Sequence, residues 1–174
     1  LAPAHFRIAG LYEKGIGVKK NLVTARRHYV AAAEKGNAKA MHNLAVLYAE
    51  GISGKPDYVT AVQWFRKAAE LGIRDSQFNL AILAARGLGM NPDLVQSYTW
   101  FAILAHNGDA DAVDKRDSIA GRLSPTDLTL ARAAAEQWSP KTPDPATNTV
   151  EISPEWTRPA MPKGTTGDAN AGPR

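Results

Sequence analysis

The chain has 174 residues, 44% of them hydrophobic, and a formal net charge of +4. That length and composition suit one folded domain with a real core and exclude a largely disordered chain. No apolar run approaches the ~18 residues of a membrane span, and the absence of cysteine excludes disulfides and thiolate chemistry.

Shifted by 36 residues, the sequence overlays on itself without a gap. Ala4, Ala40 and Ser76 align, as do Ile8, Leu44 and Leu80, and Leu11, Leu47 and Leu83. Further along, Ala25, Ala61 and Ser97 align, then Tyr29, Phe65 and Phe101, then Gly36, Gly72 and Gly108. A fixed period of this size marks a stacked array of helical repeats.

Pro3 suits the first turn of a helix predicted over roughly residues 4–14. No polar capping unit precedes it and the chain starts at Leu1, so further repeats are expected upstream. Gly15, Gly51 and Gly87 follow the first helix of each repeat, where a left-handed residue ends it. Asn21, Asp57 and Asp93 open the second helix as N-caps, since a short side-chain oxygen accepts a free first-turn amide. Leu44, Leu47 and Tyr48 then form the buried stripe of a first helix, with Ala45 small enough for close approach. Ala61, Trp64, Phe65, Ala68 and Ala69 form the matching stripe of a second helix.

After Gly108 the pattern decays. A helix is predicted over 110–123, but Arg116 and Asp117 fall where Leu80 and Ala81 stand. Ser124, Pro125 and Asp127 start a last helix that runs to about Trp138. From Ser139 the chain turns rich in Pro, Thr, Asn and Gly, the composition of an extended, largely unstructured tail. The run Val150-Glu151-Ile152, through its two aliphatic residues, and Trp156 are its only apolar anchors. The expected architecture is thus an all-α, right-handed α-solenoid over 1–138, with repeats at about 4–37, 38–73 and 74–109. A degenerate capping helix pair at 110–138 and a Pro-rich tail at 139–174 complete it.

Chemistry leaves few traces. None of the four histidines, His5, His28, His42 and His106, sits in a metal-ligand spacing. Gly15-Ile16-Gly17 and Gly87-Leu88-Gly89 look like half of a dinucleotide loop, but they follow helices rather than strands and read as turns. No catalytic residue, cofactor or metal is expected. The charge excess lies in the repeats, densest at Lys19, Lys20, Arg26 and Arg27. Such a patch attracts anionic glycan or acidic protein. The simpler alternative is a solvated face. No nucleic-acid module signature accompanies it.

The repeats resemble the Sel1-like repeat family, a relative of the tetratricopeptide repeat. The run Ile8-Ala9-Gly10-Leu11-Tyr12-Glu13-Lys14-Gly15-Ile16-Gly17-Val18 matches the family's first helix and loop. Asp57, Ala61, Trp64, Phe65, Ala68, Ala69 and Gly72 match its second helix. Ala84 departs from the usual Tyr, and His28 from the usual Trp. The stretches LAPAHFRIAGLYEKG, GNAKAMHNLAVLYAEG and RDSQFNLAIL are also similar to the C-terminal part of alphaproteobacterial polar localisation factors. This second resemblance implies the periplasmic end of a single-pass scaffold that marks a cell pole.

The resemblance further implies a non-enzymatic scaffold whose first helices line a concave, partner-binding face. The residues placed there are Phe6, His42 and Phe78; Val46 and Ile82; Glu50 and Arg86; and the flanking Arg7, Asn43 and Asn79. Phe6 and Phe78 read equally well as packing residues. Three first helices at 8–10 Å spacing span roughly 20–25 Å, room for an extended peptide of about 6–8 residues. The expected partner is a protein or peptide. The alternatives are cell-wall peptidoglycan, taken by the basic cluster, or a regulatory contact with a signalling receptor.

Overall fold

In a computed structural model, residues 1–52 and 54–149 are described. Eight helices follow one another: α1 (Ala2–Lys14), α2 (Leu22–Ala33), α3 (Ala38–Glu50), α4 (Tyr58–Glu70), α5 (Arg74–Arg86), α6 (Leu94–His106), α7 (Ala110–Ala120) and α8 (Pro125–Gln137). A single turn, α9 (Pro145–Asn148), comes last. No strand occurs among the described residues.

The local signals account for the boundaries. The side chains of Asn21, Asp57 and Asp93 accept the amides of Thr24, Thr60 and Gln96 at 3.0, 3.0 and 2.8 Å. Ser124 caps α8 through the Asp127 amide. Two further caps join these, Asn37 on Ala40 and Asp109 on Ala112. The aligned Ile73 has no side chain able to cap α5. Gly15, Gly51 and Gly87 end α1, α3 and α5 in the left-handed region.

Packing follows the period. α1 pairs with α2, α3 with α4 and α5 with α6, and α2 and α4 also pack on the next repeat through α3 and α5. Tyr29, Phe65 and Phe101 are each at most 2% exposed, and Ala9, Ala45 and Ala81 are fully buried. Large rings on the second helices thus sit between small residues on the first, which lets neighbouring helices approach closely. The fold is the expected α-solenoid.

The two helices expected in the cap, α7 and α8, are both present. Both pack on α6, and α8 packs on α6 rather than on α7. Trp138, just after α8, meets Trp100 edge to face at 5.6 Å. The cause is legible in α7: Arg116 stands where Ile8, Leu44 and Leu80 stand, so α7 lacks the apolar residue that would receive a partner helix.

Residues 139–149 run back along the array instead of leaving it. Pro140 sits over Gly72. The Lys141 amide donates to the Glu70 carbonyl at 2.8 Å, and its ammonium pairs with the Glu70 carboxylate. At the next junction Asn148 accepts the Ala38 amide at 2.8 Å and donates to the Gly36 carbonyl at 3.2 Å. Asn37 in turn donates to the Thr147 carbonyl. Polar pairing with turn backbones holds this segment, so its proline content was no obstacle. Val150, Glu151, Ile152 and Trp156 lie outside the described residues.

Candidate peptide-binding face

The aligned residues of α1, α3 and α5 hold equivalent places in their repeats. Phe6, His42 and Phe78 each lean on the second-helix ring of their own repeat. The centroid distances are 5.9 Å for Phe6–Tyr29, 5.7 Å for His42–Phe65 and 5.4 Å for Phe78–Phe101. All three are half-buried, so this row both packs and presents an edge. Val46 and Ile82 are half-buried beside it, and Arg7, Glu50 and Arg86 are exposed. His42 is the most committed of the row. Its Nδ1 lies 2.8 Å from the Ser76 hydroxyl and ties α3 to α5.

The two asparagines differ. The buried Tyr29 hydroxyl donates to Glu13 Oε2 at 2.6 Å and accepts from Asn43 Nδ2 at 2.9 Å. Burial, reinforced by the Glu13 carboxylate, pushes the Tyr29 phenol well above its ordinary range. Asn43 Nδ2 is therefore occupied within the fold. Asn79 holds the equivalent position in the next repeat, where the ring aligned with Tyr29 is Phe65 and carries no hydroxyl. Asn79 is half-buried, and its side chain makes no hydrogen bond among the described residues. The signal was present in the sequence as Tyr29 against Phe65, two rings that periodicity scores alike.

Elsewhere the basic cluster is partly committed. The Arg26 guanidinium lies 6.0 Å from the Tyr48 ring centroid, a cation–π distance. Lys19, Lys20 and Arg27 are exposed. No group of three or more His, Asp or Glu gathers to hold a metal among the described residues.

Two histidines have a pH consequence. His5 Nδ1 and His28 Nδ1 lie 2.9 Å apart, so one must be unprotonated to accept. Partial burial, then the His28 charge, lowers the His5 pKa. Burial lowers that of His42, against an opposing pull from Asp75. A depressed folded-state pKa favours the neutral form, so this stability is present above the ordinary value near 6.5 and lost as pH falls below it. The melting temperature should fall from neutral pH towards pH ~5. His42→Gln should flatten that slope, and an unchanged slope in both His42→Gln and His5→Gln would show that neither histidine carries it.

This arrangement, helix hairpins stacked through alternating ring and alanine faces with one face left to the solvent, defines a repeat scaffold. The Sel1 repeat model matches residues 2–37, 38–73 and 74–109, and the chain belongs to the Sel1 repeat family. The crystal structure of a Sel1 repeat protein from Oxalobacter formigenes is similar, with a TM-score of 0.64 and 30% identity. The similarity covers 76% of this chain and 56% of that one, so this chain spans a little over half of its relative. A second solved structure is c5321, a protective antigen present in uropathogenic Escherichia coli strains and displaying an SLR fold. It matches at a TM-score of 0.49 and 26% identity, over 78% of this chain and 37% of its own. No protein with a curated description matches. Sel1 repeats serve as protein-interaction scaffolds, and the family is generally non-enzymatic.

Proposed function

We propose that the first-helix face binds an extended segment of a partner protein, and that Asn79 provides its main backbone contact. The observation that carries this is the contrast between the two asparagines. Asn43 is held by Tyr29, whereas Asn79 keeps both amide donors and its carbonyl beside the half-buried Phe78 and Ile82. A side-chain amide next to apolar residues suits a peptide backbone that needs both a donor and an acceptor. Arg86 and Glu50 at the border would select against wrong charges. The resemblance of several stretches to polar localisation factors supports a further reading, that the chain acts in the periplasm as the scaffold domain of a cell-polarity protein. The basic cluster shows nothing beyond exposure and the Arg26–Tyr48 contact, so it supports peptidoglycan binding less.

The immobilised chain should capture a protein from an envelope fraction and not from cytosol. Asn79→Ala combined with Ile82→Ser should lose it, with helicity by circular dichroism unchanged. Equal recovery by the double variant would remove this face from the binding site. Capture from cytosol alone would remove the periplasmic assignment.

A further inference from the structure

We infer that the groove beside the cap is a second binding site, and that it takes an acidic peptide segment of a partner protein. Where α8 packs on α6 rather than on α7, an open groove of about 940 Å³ lies between α6, α8 and the starts of α5 and the tail. That lies within the ~300–1,000 Å³ typical of ligand sites. Its walls carry Arg74 from α5, Arg116 from α7 and Arg132 from α8, with Tyr98, Ala102 and Trp138 providing apolar and aromatic surface.

Two of these arginines break the repeat pattern, and both breaks face the same groove. Arg74 stands where Ala2, Ala38 and Ala110 stand. Arg116 stands where Leu44 and Leu80 are fully buried. A packing role explains neither, because alanine or leucine fills those positions in the other repeats. The guanidiniums are also far from saturated. Arg74 reaches Asp109 at 3.6 Å with its side chain 52% exposed. Among the described residues, Arg116 pairs only with its exposed neighbour Asp117. Arg132 makes one long contact, from Nε to the Tyr98 hydroxyl at 3.4 Å, and has no carboxylate partner among the described residues. Each guanidinium has five donors in a planar fork that matches a carboxylate.

The occupant follows from the mixture of charges. Glu136 shares the lining, and Asp109 stands at its edge through Arg74. A continuous polyanion, such as a phosphate backbone or an anionic lipid surface, would meet both carboxylates. A peptide with discrete Asp or Glu residues around an apolar side chain places its charges on the arginines and its apolar residue against Trp138. This site is independent of the first-helix face: none of Asn79, Phe78 or Ile82 lines it.

The test uses the full chain and a fluorescein-labelled peptide of alternating Glu, Leu and Asp. A twin with Gln and Asn in place of the acids serves as control. Anisotropy at low salt should show binding of the acidic peptide and none of the twin. Arg116→Gln with Arg132→Gln should weaken binding about tenfold or more, with an unchanged circular dichroism spectrum. Asn79→Ala with Ile82→Ser should leave it unchanged, which separates this site from the proposed peptide face. Equal binding by the arginine variant, or equal binding of the twin, overturns the assignment. So does tighter binding of duplex DNA or phosphatidylglycerol vesicles that is lost in the same variant, since the groove would then be a polyanion site.

Discussion

Phe65→Ala should lower the unfolding free energy by about 3–5 kcal/mol, read from the urea midpoint at constant slope. Phe65 is 2% exposed and belongs to the cluster that includes Ala45, Ala61, Leu80 and Ala81. Several members of that cluster are alanines, whose methyl groups are fixed to helix backbones. They cannot swing into the space, so the cavity persists and its cost adds to the lost transfer free energy. The adjacent Trp64 should lose less. It is half-buried, and the Lys67 ammonium lies 4.3 Å from its ring centroid at the surface. Trp64→Ala therefore gives up a half-buried ring at the edge of both core clusters and a cation–π contact rather than a fully buried filling. A Phe65→Ala loss no larger than that of Trp64→Ala would show that the ring is not the keystone of the stack.

The second large effect is Gly89→Ala. Gly89 has φ 72°, and a Cβ built on it would overlap the Tyr58 carbonyl and come within 2.8 Å of the Val59 nitrogen. Tyr58 and Val59 are the first residues of α4, so relief requires the helix of the preceding repeat to move. Gly17 holds the same kind of loop position in the first repeat at φ 70°, but nothing lies within 4 Å of its Cβ position. Gly17→Ala should cost only the left-handed penalty, about 1–2 kcal/mol. Gly89→Ala should add steric displacement, roughly 3 kcal/mol or more in all. Thermal melts of the two variants side by side decide it. Equal losses would mean that the inter-repeat approach at Gly89 gives way freely.

The helix boundaries and the core were legible because their signals are local or periodic. Asn21, Asp57 and Asp93 each bond an amide three residues on, so each cap is contained in a few residues of sequence. Tyr29, Phe65 and Phe101 recur at one spacing, and the same packing environment recurs with them. The first-helix face was legible as a set of positions. What each side chain does there was not. Asn43 and Asn79 occupy equivalent positions, yet one is held by a hydroxyl 14 residues away and the other is not. His42 was placed among partner-binding residues, and it spends its ring nitrogen on Ser76 of the next repeat.

The sequence alone determined the repeat class, the helix limits, the ring-and-alanine core and the point near Gly108 where the pattern fails. All of these depend on spacing along the chain, which a sequence displays directly. Only the tertiary structure decided that α8 packs on α6, that Arg74, Arg116 and Arg132 line one groove, and that Asn148 caps α3 from 110 residues away. Those outcomes depend on which surfaces remain uncovered once the stack has formed. A residue's commitment is then set by neighbours from other helices, and no period in the sequence encodes them.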